Sequence, residues 1–499
     1  MDAKGAERAM KNISNELFEQ AKEQLRLGDG QKAISLARSA ARLVKDRFVK
    51  AMNLGGIMID AGAQMNRADL VRKGINMLSE VSDSVPVAKR VRYYYNLGNG
   101  YANLAKYESG KGPGTRPSYS LAVSNLDECL RHSELPDART NLANVLMAQH
   151  RFVEAIDEYE TVLNENPTHH QAIANRGYAL IKMYDWTPGH KALLVAALRD
   201  HETAISRSAN EPVFCDSYKR VASFLKSRVR PFVSEQIPPT KYENWIWTNR
   251  LNLNPCPICR IDTPSVFDIY PLAGHLKSKR RSPPTRHVLD IINRLCQSYA
   301  TARWLLYSGM ENSPDKCRHQ VFIPSGSETD YSLTTGLIMA ACSGFYSVIN
   351  QTSFAANGYF HLGLNPRNVT IAHIWARDQN CREFPISRSQ IRRIMLTPVN
   401  PGLTALYGLA GSLEFGKGRY YPLRKLRNSI EHHLVVVAKK NTCNSYYKAV
   451  HRDSLIRDTI SLGRLAKAAI WYFSAAVLCS ERRRARKAID KGNLIYQGR

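Results

Sequence analysis

YYPLRKLRNSIEHHLVVVAKK, residues 420–440, is the stretch on which the reading of this chain turns. It reads as one helix entered through Pro422, because proline is favoured in a first helical turn, where its missing N–H is not needed. At 100° per residue, with Arg427 at 0°, Glu431 falls at about 40°, Asn428 at about 100° and His432 at about 140°. Leu426, Val437, Ile430 and Leu434 fall between about 260° and about 340°. An apolar stripe therefore faces a core, while a guanidinium, an amide and an imidazole share the polar side. His433, at about 240°, borders the apolar stripe and reads as a packing or helix-flank residue.

Such a polar face has a defined chemistry. Arginine carries a permanent, planar, five-donor charge suited to phosphate oxygens. Histidine titrates near neutral pH and can take or give a proton. Asn428 sits one turn before His432, close enough to orient its ring. These groups suffice for RNA cleavage without a metal, since RNA supplies its own 2′-hydroxyl nucleophile and the arginine offsets charge growing on the phosphate. The competing reading is a solvated helix face, and the Arg–His spacing alone does not decide against it. A second Arg-Asn, in Arg367-Asn368…His373 (RNVTIAH), follows Asn365-Pro366 and is β-branched, which predicts a loop or strand.

Composition narrows the partners. The chain has 499 residues, 44% of them hydrophobic and 23% charged, as in an ordinary globular protein of two or three domains. Its formal net charge of +27 points to a polyanion partner: RNA, DNA or an anionic membrane surface. Ten scattered cysteines read as reduced thiols, and no secretory signal is visible, so a cytoplasmic protein is expected. The stretch 331–366 carries no charged side chain, but Thr, Ser, Asn and Gln interrupt it; it reads as a helix buried on most sides, with no membrane partner.

Residues 1–210 read as a helical solenoid of repeated hairpins. The clearest unit is NLANVLMAQHRFVEAIDEYETVLNENP (141–167), where Leu142, Ala143, Leu146, Ala155, Tyr159 and Pro167 take the positions of a tetratricopeptide repeat. Ala33, Ala37 and Ala40 mark small positions in an earlier copy, and 53–62, 96–107, 119–130 and 174–186 carry weaker ones. Each hairpin exposes an apolar face that its neighbour covers, and such arrays usually bind a protein partner. Tyr93-Tyr94-Tyr95 reads as packing between repeats, and His169-His170 as a solvated turn.

Residues 211–285 read as an irregular connector rich in Pro, Asn and aromatics. Cys256 and Cys259 have the spacing of half a zinc site without an obvious second half, so the reading is ordinary thiols and no cofactor. Lys279, Arg280 and Arg281 in a Pro-broken loop are candidate RNA-backbone contacts. Residues 286–499 read as a second helical domain, with the basic run Arg482-Arg483-Arg484 near its end as a further phosphate-contacting candidate.

The fold class is accordingly all-α: a tetratricopeptide-like solenoid followed by a helical bundle. RNSIEH, with the helices around it over about residues 285–490, resembles the Arg-Asn-x-x-x-His motif of the HEPN superfamily. The whole chain resembles the branch joining tetratricopeptide-like repeats to a C-terminal HEPN domain. That resemblance implies a homodimer with Arg427, Asn428 and His432 in a shared cleft. It also implies metal-independent endoribonuclease activity giving 2′,3′-cyclic phosphates, and a toxin–antitoxin, defence or stress role. It places a polar or acidic residue on a helix packed against the motif helix, and Asn350 and Gln351 are the candidates. The alternative is a non-catalytic adaptor that dimerises and binds RNA or a protein partner.

Overall fold

The computed structural model describes residues 3–108, 116–187, 190–229, 239–254, 283–311, 329–376, 400–414, 418–433, 435–438 and 448–490. Two compact units divide them, one up to Val145 and one from Leu146 onward.

In the first unit, α1 (Ala3–Arg26) pairs with α2 (Gly30–Leu43). A short α3 (Arg47–Lys50) runs through a π-helical turn into α4 (Gly56–Gln64), which pairs with α5 (Ala68–Ser79). Then α6 (Arg90–Tyr107) pairs with α7 (Pro117–His132), and α8 (Pro136–Ala148) reaches the division. The amphipathic helices pair because each apolar stripe finds cover on its neighbour. Asp29 starts α2 by accepting from the Lys32 N–H at 2.9 Å. Ala33, Ala37 and Ala40 are fully buried, as their repeat positions require. At Gly98 any Cβ would stand 2.5 Å from Leu126 Cγ, so the approach of α6 to α7 demands glycine there. The three tyrosines do pack between helices: Tyr93 is buried, Tyr94 stacks on His132 at 5.9 Å, and the Tyr95 hydroxyl accepts from Asn141 at 3.2 Å.

The second unit continues the hairpins with α9 (Phe152–Glu165), α10 (His170–Trp186), α11 (Ala192–Arg207) and α12 (Pro212–Lys226). The last of these corrects the sequence reading, which placed an irregular connector from residue 211. Pro212 opens the helix, and Cys215, Tyr218, Ala222 and Leu225 fall on one buried face. His169-His170 is not a solvated turn: His169 caps α10, and His170 lies between the Tyr218 hydroxyl at 3.2 Å and Glu211 at 3.0 Å. A capping box of Thr240 and Glu243 starts α13 (Lys241–Thr248).

The remaining helices form the C-terminal bundle: α14 (Pro283–Glu311), α15 (Leu333–Tyr359), α16 (Pro401–Glu414), α17 (Tyr421–His432) and α18 (Arg452–Asp490). Helices α14, α15 and α18 pack on one another, and α16 lies along α18. At Gly402 a Cβ would collide with the backbone of Ala476 and Tyr472, so α16 touches α18 nearly backbone to backbone. Among the described residues, two helices are long and apolar enough to cross a membrane; the α18 window is 89% buried within the fold, the α15 window only 50%. Helix α15 is thus less enclosed than expected, with Leu333 and Phe354 exposed. In the segment after α15, Ile371, Ile374 and Trp375 are buried.

A three-stranded sheet joins the bundle. Its central strand β2 (Val435–Ala438) pairs antiparallel with β1 (Thr329–Asp330) and parallel with β3 (Lys448–Val450). This overturns the expectation that the motif helix runs on through Val437. Three consecutive β-branched valines suit a pleated, half-buried strand better than another helical turn.

A buried polar seam ties α9 to the bundle. Arg151, 1% exposed, donates to both carboxylate oxygens of Glu154, to the Gly408 carbonyl at 3.1 Å and to Ser412 at 2.8 Å. The Tyr472 hydroxyl donates to Glu154 at 3.1 Å. One turn on, Asp157 faces Lys467 at 3.5 Å, and Glu158 accepts from Arg419 at 2.7 Å. Lys467 also donates to the Arg250 carbonyl at 2.8 Å, and burial holds its pKa below the usual lysine range despite Asp157. The acidic face of α9, which in an isolated repeat would be solvated, is therefore met by its own cap Arg151 and by Arg419 and Lys467 from the bundle segment.

Candidate functional site

Helix α17 is held by Leu423 and Leu426, which are buried, and ends at His433, whose backbone turns extended (φ −132°, ψ 163°). The turn away from helix is dictated by the valine strand that follows. This leaves Arg427 and Asn428 in the penultimate turn and His432 as the last helical residue.

Arg427 lies between an aromatic face and a carboxylate. Its guanidinium carbon is 4.6 Å from the centroid of Tyr346 on α15, a cation–π contact. One terminal nitrogen donates to Asn428 Oδ1 at 3.0 Å, and the other is ion-paired with Glu431. The side chains of Arg427 and Glu431 are 20% and 29% exposed, so the pair sits at the surface rather than inside the core. Arg427 Nε is buried and has no hydrogen-bond partner among the described residues.

Behind Tyr346 the network continues inward. Its hydroxyl donates to Glu414 at 3.2 Å, and Glu414 is paired with Arg424 at 2.9 Å. Burial pushes both the Tyr346 phenol and the Glu414 carboxyl above their ordinary ranges, although Arg424 pulls Glu414 back. One turn beyond Tyr346 on α15, Asn350 keeps a buried Oδ1 without a partner among the described residues; so does Gln351 Oε1.

His432 is exposed, as is His433. On the same side of the chain Lys448 of β3 reaches the Ser429 hydroxyl at 3.3 Å, adding a cation beside the motif. The structure thus joins Arg427 to Asn428 directly and carries His432 on the next turn of the same helix. The second Arg-Asn, Arg367-Asn368, is not helical beyond a 3-10 turn at Pro366–Asn368.

Sequence reasoning missed three groups. Glu431 was visible four residues after Arg427, the spacing of a helical ion pair, but its consequence was not drawn. Tyr346 and Glu414 carried no signal, because only folding brings α15 and the end of α16 under the motif helix.

The basic run at the end of α18 is engaged with the fold. Arg482 caps α10, donating to the carbonyls of Asp185 at 2.8 Å and Trp186 at 3.3 Å. Arg484 pairs with Glu481 at 2.7 Å and lies 5.3 Å from the Tyr359 ring centroid. Arg483 is partly buried. Lys279, Arg280, Arg281, Cys256 and Cys259 lie outside the described residues.

Comparison with known proteins follows this geometry. Residues 279–480 match the family described as LA2681-like HEPN. No curated protein matches the chain. Among solved structures, MamA MSR-1 C2 is 20% identical, covering 38% of this chain and 95% of its own, with a TM-score of 0.27. The TPR2AB-domain:pHSP90-complex of yeast Sti1 is 15% identical, covering 43% and 99%, with a TM-score of 0.19. The C-terminal part of a TPR repeat-containing protein from Cytophaga hutchinsonii is 13% identical, covering 43% and 96%, with a TM-score of 0.21. The repeat architecture itself stands on the helix pairs described above. Residues 279–480 of this chain, which hold the Arg427–His432 motif, are a HEPN domain of the LA2681-like family, preceded by a tetratricopeptide-like helical array.

Proposed function

We propose that the HEPN domain is an endoribonuclease that works without a metal ion. His432 takes the proton of a 2′-hydroxyl or returns one to the leaving 5′-oxygen. Arg427 binds the scissile phosphate and offsets the charge that grows on it. Asn428 holds the guanidinium, or a phosphate oxygen, in register. The products carry a 2′,3′-cyclic phosphate and a 5′-hydroxyl. The observation that carries this reading is the exposed imidazole on the last turn of α17, one turn on from a guanidinium set by the Tyr346 ring and still reachable from solvent. In this reading two copies share a cleft, and the repeat array holds a trigger or an inhibitory protein. The role is defence or stress response in the cytoplasm.

One observation favours the adaptor reading instead. Glu431 already neutralises Arg427 from within the same helix. A guanidinium so paired binds RNA weakly and leaves dimerisation and partner binding as the function.

The discriminating experiment incubates wild type and His432→Ala with labelled single-stranded RNA in EDTA. Cleavage by wild type alone, with a cyclic phosphate at the new 3′ end, supports the nuclease. Equal cleavage by both refutes the role of His432, and cleavage by neither favours the adaptor.

A further inference from the structure

Four aromatic side chains meet at the surface of the second unit, on two helices that carry no residue used above for RNA cleavage. Tyr242 and Trp245 are three apart on α13, and Trp304 and Tyr307 three apart on α14, so each helix turns two rings to one face. Rings from the two helices cross. Tyr242 lies 4.9 Å from Trp304 at 82° and 4.7 Å from Tyr307 at 56°, and Trp245 lies 5.2 Å from Tyr307 at 63°.

A cluster that only fastened α13 to α14 would bury its rings. Trp304 instead keeps 52% of its surface exposed, and Tyr242, Trp245 and Tyr307 are each partly exposed. Trp245 Nε1 is buried and has no hydrogen-bond partner among the described residues, although an indole N–H withdrawn from water normally finds an acceptor.

Charge and shape narrow the ligand. The cations beside the rings are already engaged. Lys241 is ion-paired with Glu311 at 2.5 Å. Arg303, 3% exposed, donates to the Tyr242 hydroxyl and to the Leu251 carbonyl, each at 3.1 Å. Its guanidinium lies 5.7 Å from the Tyr242 centroid and already takes the cation–π position on that ring. Neither cation is left over for a phosphate chain, and an uncharged ligand complements the surface. Nucleic-acid bases stack on open, flat faces. Rings crossed at 56° to 82° leave ridges and notches instead, a shape that pyrrolidine rings enter. A proline-rich segment is uncharged, already extended as a polyproline II helix, and known as a chemistry to dock on aromatic-lined grooves. It also brings bare carbonyls, the acceptor that Trp245 Nε1 lacks.

We infer that this aromatic surface binds a proline-rich segment of a partner protein in the polyproline II conformation. The inference stands whether or not the HEPN domain cuts RNA, and whether or not the repeat array holds a partner of its own.

The test titrates the full-length chain with decaproline by calorimetry, with a Gly-Ser peptide of equal length as control. A decameric oligothymidylate, which lacks the 2′-hydroxyl that cleavage needs, serves as the nucleic-acid competitor. Decaproline is expected to bind, the Gly-Ser peptide is not, and the oligothymidylate should leave decaproline in place. Trp304→Ala, at a half-exposed position, is expected to weaken decaproline about tenfold, the equivalent of about 1.4 kcal/mol, and Trp304→Phe, which keeps a ring, to weaken it less. Trp245→Phe keeps the ring and removes the N–H, and a loss of about threefold is expected. Circular dichroism melting of each variant confirms that the fold is intact. Absence of decaproline binding at millimolar concentration would overturn the inference. So would equal binding of the Gly-Ser peptide, displacement of decaproline by the oligothymidylate, or wild-type affinity in folded Trp304→Ala.

Discussion

Replacing Arg151 by methionine tests the polar seam that ties α9 to the bundle. Arg151 and Glu154 are 1% and 4% exposed, so neither charge is screened by water. Methionine fills similar length but removes every donor, leaving Glu154 with the Tyr472 hydroxyl as its remaining described hydrogen-bond donor from a side chain. The Gly408 carbonyl and the Ser412 hydroxyl lose their arginine partner as well. Stranding one member of a buried ion pair costs about 3–5 kcal/mol. The companion Arg151→Met/Glu154→Gln removes the stranded charge while keeping an acceptor for Tyr472. It should therefore recover about 2 kcal/mol relative to the single variant. Urea unfolding followed by tryptophan fluorescence is the appropriate assay, because all six tryptophans fall in the second unit. A loss below about 1 kcal/mol in Arg151→Met, or a double variant no more stable than the single, would refute the reasoning.

Two further outcomes are expected. His201 is buried between α10 and α11 with Nδ1 2.8 Å from the Ala197 carbonyl, and burial lowers its pKa below 6.5. As pH falls below 6.5 the unfolded ring takes up a proton that the folded ring refuses, so stability declines by at most about 1.4 kcal/mol per pH unit from this group. Thermal unfolding between pH 7 and 5 should show a shallower decline in His201→Gln, and an unchanged slope would rule the histidine out as its source. Glu431→Gln releases Arg427 from an i,i+4 pair of the kind worth about 0.3–0.5 kcal/mol, so RNA affinity at low salt should rise about twofold. The gain should shrink as salt is raised, which filter binding at two ionic strengths would detect.

The large positive charge has two destinations that composition cannot separate. Arg151, Arg250, Arg419 and Lys467 are spent inside the fold, on the carboxylates of α9 or on backbone carbonyls. Arg482 caps a helix. A basic sequence thus overstates its free cationic surface, because a charge buried against a partner no longer draws a polyanion. Lys425 and Lys448, beside the motif, stay exposed.

What the sequence by itself determined was local and periodic. The alanine positions of the hairpins, the entry of α17 at Pro422 and the helical reading of RNSIEH follow from side-chain size, proline geometry and a 3.6-residue repeat, all encoded within a dozen residues. The sequence also contained the Arg427–Glu431 spacing. The end of the motif helix was legible in Val435–Val437 but was outweighed there by an apolar pattern that suits either period. Tertiary structure alone decided the rest. Tyr346 reaches Arg427 from 81 residues away only because α15 packs under α17. Arg151 meets Ser412 across 261 residues, and Trp186 meets Tyr472 across a comparable distance. No periodicity encodes such meetings. They arise when apolar faces find their cover and the polar groups carried along must find partners in the same burial.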